Sequence, residues 1–225
     1  MVERIIATAQ RAPGAGFSQG VVFVTVTDLA TRQVIARIGG DEHYVAGGFD
    51  PFISGAPIQV VICTSEQVYH DRYSEPDKTD AEGNEITWPV PCWHTDAGCS
   101  LMLVLLAAVN EGLGSAFIGV GNPGELQDLL GIPDDYLPIG VVMIGHPAPD
   151  KKSGSLKRGH LDLDAIWHRE RWYAAPEDET PTRNGTHNHT AAPWRIRHRS
   201  RVREVIRSWF QSVRSWHAVH QGTYL

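Results

Sequence analysis

The sequence predicts a domain of mixed α and β structure followed by a basic extension, and three observations carry this. Two runs of β-formers, Val21–Val26 and Ile58–Cys63, are short and almost continuously apolar, as buried strands are. The stretch Asp96–Glu111 has a centre, Leu101 to Val109, that is apolar on every side, which a helix tolerates only when protein surrounds it. With 42% hydrophobic and 20% charged residues over 225 positions, the chain has enough apolar material for a core and too much for a disordered, collagenous or mucin-like protein.

In chain order, Val2–Arg11 reads as a helix with Ile5, Ile6 and Ala9 on one face. It opens without a cap, like the remainder of a longer element, and Pro13-Gly14-Ala15-Gly16 stops it because proline cannot continue the ladder. The strands 21–26 and 58–63 follow. Residues 70–91, rich in Asp, Glu, Pro and Gly, form a long excursion of the kind that serves as a lid. After the apolar helix, Gly112-Leu113-Gly114 is a stop, Ala116–Val120 a strand, Glu125–Leu130 a two-turn helix and Ile139–Ile144 a strand. Asp164–Trp172 reads as a last short helix.

Charge divides the chain. Residues 181–225 hold eight arginines and one acid, Glu204, whereas the first 180 residues hold 12 basic and 25 acidic side chains, for a net charge of −6 overall. The expected boundary separates a domain at 1–175 from a tail at 176–225. Within the tail, Val202, Val205, Ile206, Trp209, Phe210, Val213 and Trp216 recur at helical spacing, so it is either a loose amphipathic helix or poorly ordered. A nucleic-acid contact is considered for the tail alone. Cys63, Cys92 and Cys99 form no CxxC pair, no run approaches the roughly 18 apolar residues of a membrane span, and residues 1–5 lack a signal-peptide pattern; a cytoplasmic protein is expected.

Candidate chemistry is sparse. Gly119-Val120-Gly121-Asn122-Pro123-Gly124 matches GxGxxG between strand and helix, but the helix is short and no acid-terminated strand follows, so close approach of the backbone to a ligand is favoured over a dinucleotide fingerprint. The loop Pro13–Gly20 lacks GK[ST] and lies between helix and strand, which excludes a P-loop; its glycines, Ser18 and Gln19 suit a flat polar ligand. Lys151, Lys152, Lys157 and Arg158 form either a solvated turn or a phosphate clamp. Cys92, His94 and Cys99 lack the second ligand pair of a structural zinc, so no metal is expected, and neither GxSxG nor HExxH is present.

These pieces resemble a family. Arg11-Ala12-Pro13-Gly14-Ala15-Gly16-Phe17-Ser18-Gln19 is similar to the RAPSAGNSQ segment of the FMN-dependent nitroreductase superfamily. Asp96-Ala97-Gly98 with Glu111-Gly112-Leu113-Gly114-Ser115 resembles its central helix and GLG turn. Gly131-Ile132-Pro133-Asp134-Asp135-Tyr136, Ile144-Gly145-His146-Pro147, Leu156-Lys157-Arg158 and Arg169-Glu170-Arg171-Trp172 resemble later signatures in the same order. The resemblance covers about residues 3–172. It implies an α+β, three-layer sandwich with a central, mostly antiparallel sheet flanked by helices, dimeric, with FMN at the subunit interface.

It also implies roles. Pro13, Gly14, Ala15, Phe17 and Gln19 of one subunit would contact the flavin of the other, Gly119 and Val120 would offer backbone groups to the ring, and Lys157 and Arg158 would hold the phosphate. NAD(P)H would be the electron donor and an electron-poor small molecule, a nitroaromatic or quinone, the acceptor. No catalytic side chain is required, because the flavin carries the hydride chemistry. The sequence departs from the pattern at Gly14 and Phe17, where the family has Ser and Asn, and lacks the arginine-rich segment that precedes the first helix. The alternative is a flavin-deficient, non-catalytic homologue whose tail contacts a partner or nucleic acid; membrane partners are not expected.

Overall fold

A computed structural model describes residues 1–149 and 151–172. The predicted tail helix and the boundary at 175/176 lie outside the described residues. Met1–Lys151 forms one compact unit. Along it run α1 (Val2–Ala9), β1 (Val21–Val26), α2 (Leu29–Ile38), α3 (Asp41–Ala46), β2 (Ile58–Thr64), α4 (Glu66–Tyr73), α5 (Cys92–Asn110), β3 (Gly114–Ile118), α6 (Pro123–Leu130) and β4 (Leu137–Gly145).

The four strands make one sheet in the order β1-β2-β4-β3, with all three pairings antiparallel. β2 and β4 are the inner strands, where each residue faces one of two covered sides; β1, expected from its apolar run to be buried too, is an outer strand with Val22 and Thr25 exposed. On β2, Val60 and Ile62 face a core with Val142 and Ile144 of β4, Ile5 and Ala9 of α1, and Val104 and Ala108 of α5. Val61 and Cys63 face the other core, with Val141 and Met143, Ile35 and Ala36 of α2, and Leu126 of α6. The period of two along the strands thus feeds two helix layers. The expected sandwich is present, and burial among these side chains pushes the Cys63 thiol up to about 11.

Three differences from the sequence reading have local causes. Residues 27–57, for which no elements were predicted, hold α2 and α3; the carboxylate of Asp28 accepts from the Thr31 N–H at 2.8 Å and caps α2. The excursion begins later than expected, since residues 66–73 are helical. The central helix begins at Cys92 rather than Asp96, and over 19 residues its mean hydropathy reaches 1.5, so by length and composition it matches a membrane span after all. Its inner face is committed to protein: Ala97, Val104 and Ala108 are fully buried. The α1 and α5 layer is tied at its rim by Arg4, which donates to Glu111 at 2.7 and 3.0 Å.

Within residues 152–172, a 3₁₀ turn spans Gly154–Arg158 and a one-turn helix, α7, spans Leu163–Ile166. α7 is much shorter than the predicted 164–172. The Arg169 guanidinium lies over the Trp167 ring, 4.7 Å from its centroid.

Candidate functional site

The register brings the two glycine-rich segments to the same end of the sheet. β1 starts at Val21 opposite Thr64, the last residue of β2, and Thr64 is opposite Leu137, the first of β4. β3 ends at Ile118, opposite Val141. The loop before β1 (13–20) and the turn after β3 (119–124) therefore lie toward the same end of the sandwich on its two outer strands, with β3 stopping opposite Val141, four residues in from the start of β4.

The loop is built by its neighbours. After Pro13 and Gly14, a 3₁₀ turn at Ala15–Phe17 is closed by the N–H groups of Phe17 and Ser18, which donate to Gly14 and Ala15 carbonyls at 3.1 Å. Gly16, Phe17 and Gln19 all adopt positive φ, and two of these three are not glycine. Such backbone costs energy unless surrounding contacts impose it. Those contacts come from α4 and α5. The buried Asp96 carboxylate accepts from the Ala15 N–H at 2.7 Å and, on the same oxygen, from the Tyr69 hydroxyl at 2.9 Å. Burial, reinforced by this bond, holds the Tyr69 phenol well above its ordinary pKa. Arg72 donates from Nε to the Gly16 carbonyl at 3.0 Å.

What the loop presents outward is Pro13, Gly14, the side chain of Gln19 and the ring of Phe17, 74% exposed. Across the edge, Gly119 is exposed and Val120 half-buried. No atom lies within 4 Å of the place a Cβ would take on Gly119 or Gly121, so the backbone there borders open space. Bare backbone on one side and an exposed aromatic and amide on the other suit a planar, hydrogen-bonding ring.

Beside Thr64 and Leu137 at this end of the sheet lies a cleft of about 520 Å³, with Trp93 in its wall and Glu66, His70, His94, Asp134 and Asp135 around it; neither glycine-rich segment lines it. Its acidic lining opposes a phosphate. Of the four basic candidates, Lys151 donates to the Gly47 carbonyl at 3.0 Å and sits over Phe49, 5.2 Å from the ring centroid, so its charge stabilises the end of α3. Lys152, Lys157 and Arg158 are exposed in the segment 152–172. Among the described residues no three His, Cys, Asp or Glu side chains converge as a metal site, and the cysteines are free thiols.

Tyr69, His70, Arg72 and Tyr73 lie on α4 and hold the excursion down. Glu85 lies 2.7 Å from His70 Nδ1 and also accepts from the Trp88 indole N–H. The Trp88 ring packs edge-on against Tyr73, with centroids 4.5 Å apart, and Lys78 lies over the other end of this stack, 5.7 Å from Tyr73. The bond to Glu85, helped by Glu66, raises the His70 pKa, while the Trp88 N–H and His70 lower that of Glu85. Sequence reasoning missed Asp96, Glu85 and Trp88 as organisers. The available signal was Asp96 itself, an acid opening an otherwise apolar helix.

A helix–sheet–helix sandwich whose sheet edge offers glycine backbone and an aromatic loop is a scaffold for a flat cofactor that brings its own reactivity. The chain belongs to the Nitroreductase family, whose sequence profile matches residues 1–146. Among curated proteins it is 27% identical over 218 residues to an FMN reductase [NAD(P)H] of Bacillus subtilis, covering 96% of this chain and 81% of that one. It is 28% identical over 147 residues to an NADPH-flavin oxidoreductase of Vibrio harveyi, covering 64% and 55%. Among solved structures, the hypothetical oxidoreductase YcnD of Bacillus subtilis superposes with a TM-score of 0.57 at 27% identity, covering 77% of this chain and 66% of that one. NfrA1 of Bacillus megaterium reaches 0.60 at 23%, with 77% and 66% covered, a likeness of fold. The chain thus spans about two thirds of the length of these solved structures.

Proposed function

We propose that this protein is an FMN-dependent NAD(P)H oxidoreductase of nitroreductase type. The observation that carries the reading is the family match over residues 1–146 together with two glycine-rich segments toward one end of the sheet, of which the 119–124 turn exposes bare backbone. Bound FMN supplies the hydride chemistry. The chain supplies placement: Gly119 and Val120 of one subunit offer main-chain groups to the ring, and Pro13, Gly14, Ala15, Phe17 and Gln19 of the other form the facing wall. Lys157 and Arg158 hold the phosphate, Arg158 with a fork that matches its oxygens.

A second copy of the chain completes the site in this reading, with the 13–20 loop of one subunit reaching the flavin of the other. Met102, Leu106 and Val109, exposed at spacings of four and three on one face of α5, support such a partner, because an apolar stripe of this kind is stabilised by burial. The acceptor is an electron-poor small molecule such as a nitroaromatic or quinone, and free thiols at all three cysteines support a cytoplasmic setting.

The test is reconstitution. The purified chain with FMN should turn yellow and bleach NADH or NADPH absorbance in a flavin-dependent way, while sedimenting as a dimer. A colourless protein that takes up no FMN at high micromolar concentration overturns the proposal.

A further inference from the structure

Resting on the reading of the 13–20 loop as a flavin wall, we propose that Arg72 is a positioning residue that locks this loop and the 74–91 excursion into one unit, so that the flavin wall is formed only while the excursion is seated. Arg72 sits where the two segments meet. Its Nε donates to the Gly16 carbonyl at 3.0 Å. Its Nη1 donates to Glu75 at 2.9 Å and to Asp77 at 2.8 Å, and Nη2 donates to the other Asp77 oxygen at 2.7 Å.

One planar guanidinium therefore spends one edge on a carbonyl in left-handed backbone and the other on a paired grip of the excursion. The rigid fork allows both at once, and lysine, with a single ammonium, cannot reproduce it. The Arg72 side chain is 22% exposed, whereas its partners Glu75 and Asp77 are 57% and 62% exposed, so it is the guanidinium and its bond to Gly16 that are shielded from water.

A second contact runs in parallel. The Tyr73 ring lies where a Cβ on Gly16 would be, 2.6 Å from Cε2, and the same ring packs edge-on against Trp88 of the excursion. Gly16 is thus pressed by Tyr73 and tethered by Arg72, and both of those residues are bound to the excursion. The loop's conformation, with positive φ at Phe17 and Gln19, is not one the local sequence selects unaided. It needs the grip. Anything that breaks the Arg72 grip on Glu75 and Asp77 releases the Gly16 anchor, and an acceptor that unseats this end of the excursion changes the wall against which the flavin ring rests.

The experiment reads amide hydrogen exchange on the full chain without FMN, and FMN affinity separately. Arg72→Lys should accelerate exchange at the Ala15, Phe17 and Ser18 amides and at the Gly83 and Asn84 amides together, each by roughly tenfold. Asp77→Asn, which touches only the excursion side, should loosen the loop amides as well. Glu85→Gln, which weakens the excursion at its His70 and Trp88 end without touching Arg72, should accelerate the excursion amides and leave the loop amides within about twofold. FMN Kd should rise about five- to tenfold in Arg72→Lys and Asp77→Asn, with the KM for acceptor shifted more than kcat.

The proposal is overturned if Arg72→Lys or Asp77→Asn frees the excursion while loop exchange stays at the wild-type rate, or if the loop loosens and FMN affinity does not change. A wild-type chain that takes up no FMN defeats the functional reading instead, and the exchange data on the free protein still decide whether Arg72 couples the two segments.

Discussion

The two glycine-rich segments look alike as strings and are opposites in space. In the 13–20 loop, glycine is there because protein crowds it: a Cβ on Gly20 would lie 2.5 Å from the Tyr69 ring and 3.1 Å from the Ser65 carbonyl. In the 119–124 turn, Gly119 and Gly121 meet nothing within 4 Å. The first segment is held in shape by Asp96, Tyr69, Arg72 and Tyr73. The second is shaped by little beyond the strand it leaves and the helix it enters. One wall of the site is preformed and the other is bare backbone, so damage to the first should appear as lost stability and damage to the second as lost binding.

The sharpest way to break this contrast is Gly20→Ala. The added methyl must displace a fully buried tyrosine or a backbone carbonyl, and about 3 kcal/mol of stability should be lost, read from the denaturant midpoint at constant m. A variant as stable as wild type means the loop is not clamped. Asp96→Ala should come next, at about 2 kcal/mol, because it strips an acceptor from the Ala15 N–H and leaves the buried Tyr69 hydroxyl unpaired. Asp96→Asn, which keeps an acceptor oxygen, should recover part of that loss.

A smaller effect depends on pH. The folded-state pKa of His70 is raised above its ordinary 6.5, so its contribution is fully present below that value and fades as pH climbs through the raised pKa. Glu85 is lowered from 4.5, so its contribution is present above 4.5 and fades as pH falls through the lowered pKa. Seating of the excursion should therefore be firmest between these limits. Trp88 fluorescence followed across pH in wild type and His70→Gln checks this: the variant should lose the alkaline limb. A wild-type signal that stays flat through the upper limb refutes the clasp.

At the weak end, Gly119→Ala and Gly121→Ala should change stability by no more than about 0.5 kcal/mol. Gly119→Val, which fills the open space with a branched side chain, should leave unfolding unchanged yet weaken FMN binding at least about tenfold. Should Gly119→Val unfold the protein, the turn is a structural element and the comparison fails.

The sequence exposed the scaffold more fully than the site. Strands β2 and β4 were legible because inner strands of a covered sheet are apolar on both sides, and α5 because it is apolar all round, although its face with Met102, Leu106 and Val109 is exposed and not buried as expected. α2 and α3 escaped notice since their signals are ordinary: a single capping Asp28 and a weakly apolar face. In the site, Gly16 and Gly119 stood out alike as glycines, but nothing in the string distinguished a glycine that avoids Tyr73 from one that borders open space.

What the amino-acid order settled by itself was which segments could be strands and helices and which backbone stretches had to be free of side chains, because those are local matters of period, sterics and turn chemistry. The tertiary structure alone decided that Asp96, 81 residues beyond Ala15, supplies its hydrogen-bond acceptor, and that Arg72 serves loop and excursion together. Those pairings depend on the antiparallel register that carries β1, β2 and β4 to a common edge. Register is a long-range property of packed faces, and no local stretch of sequence encodes it.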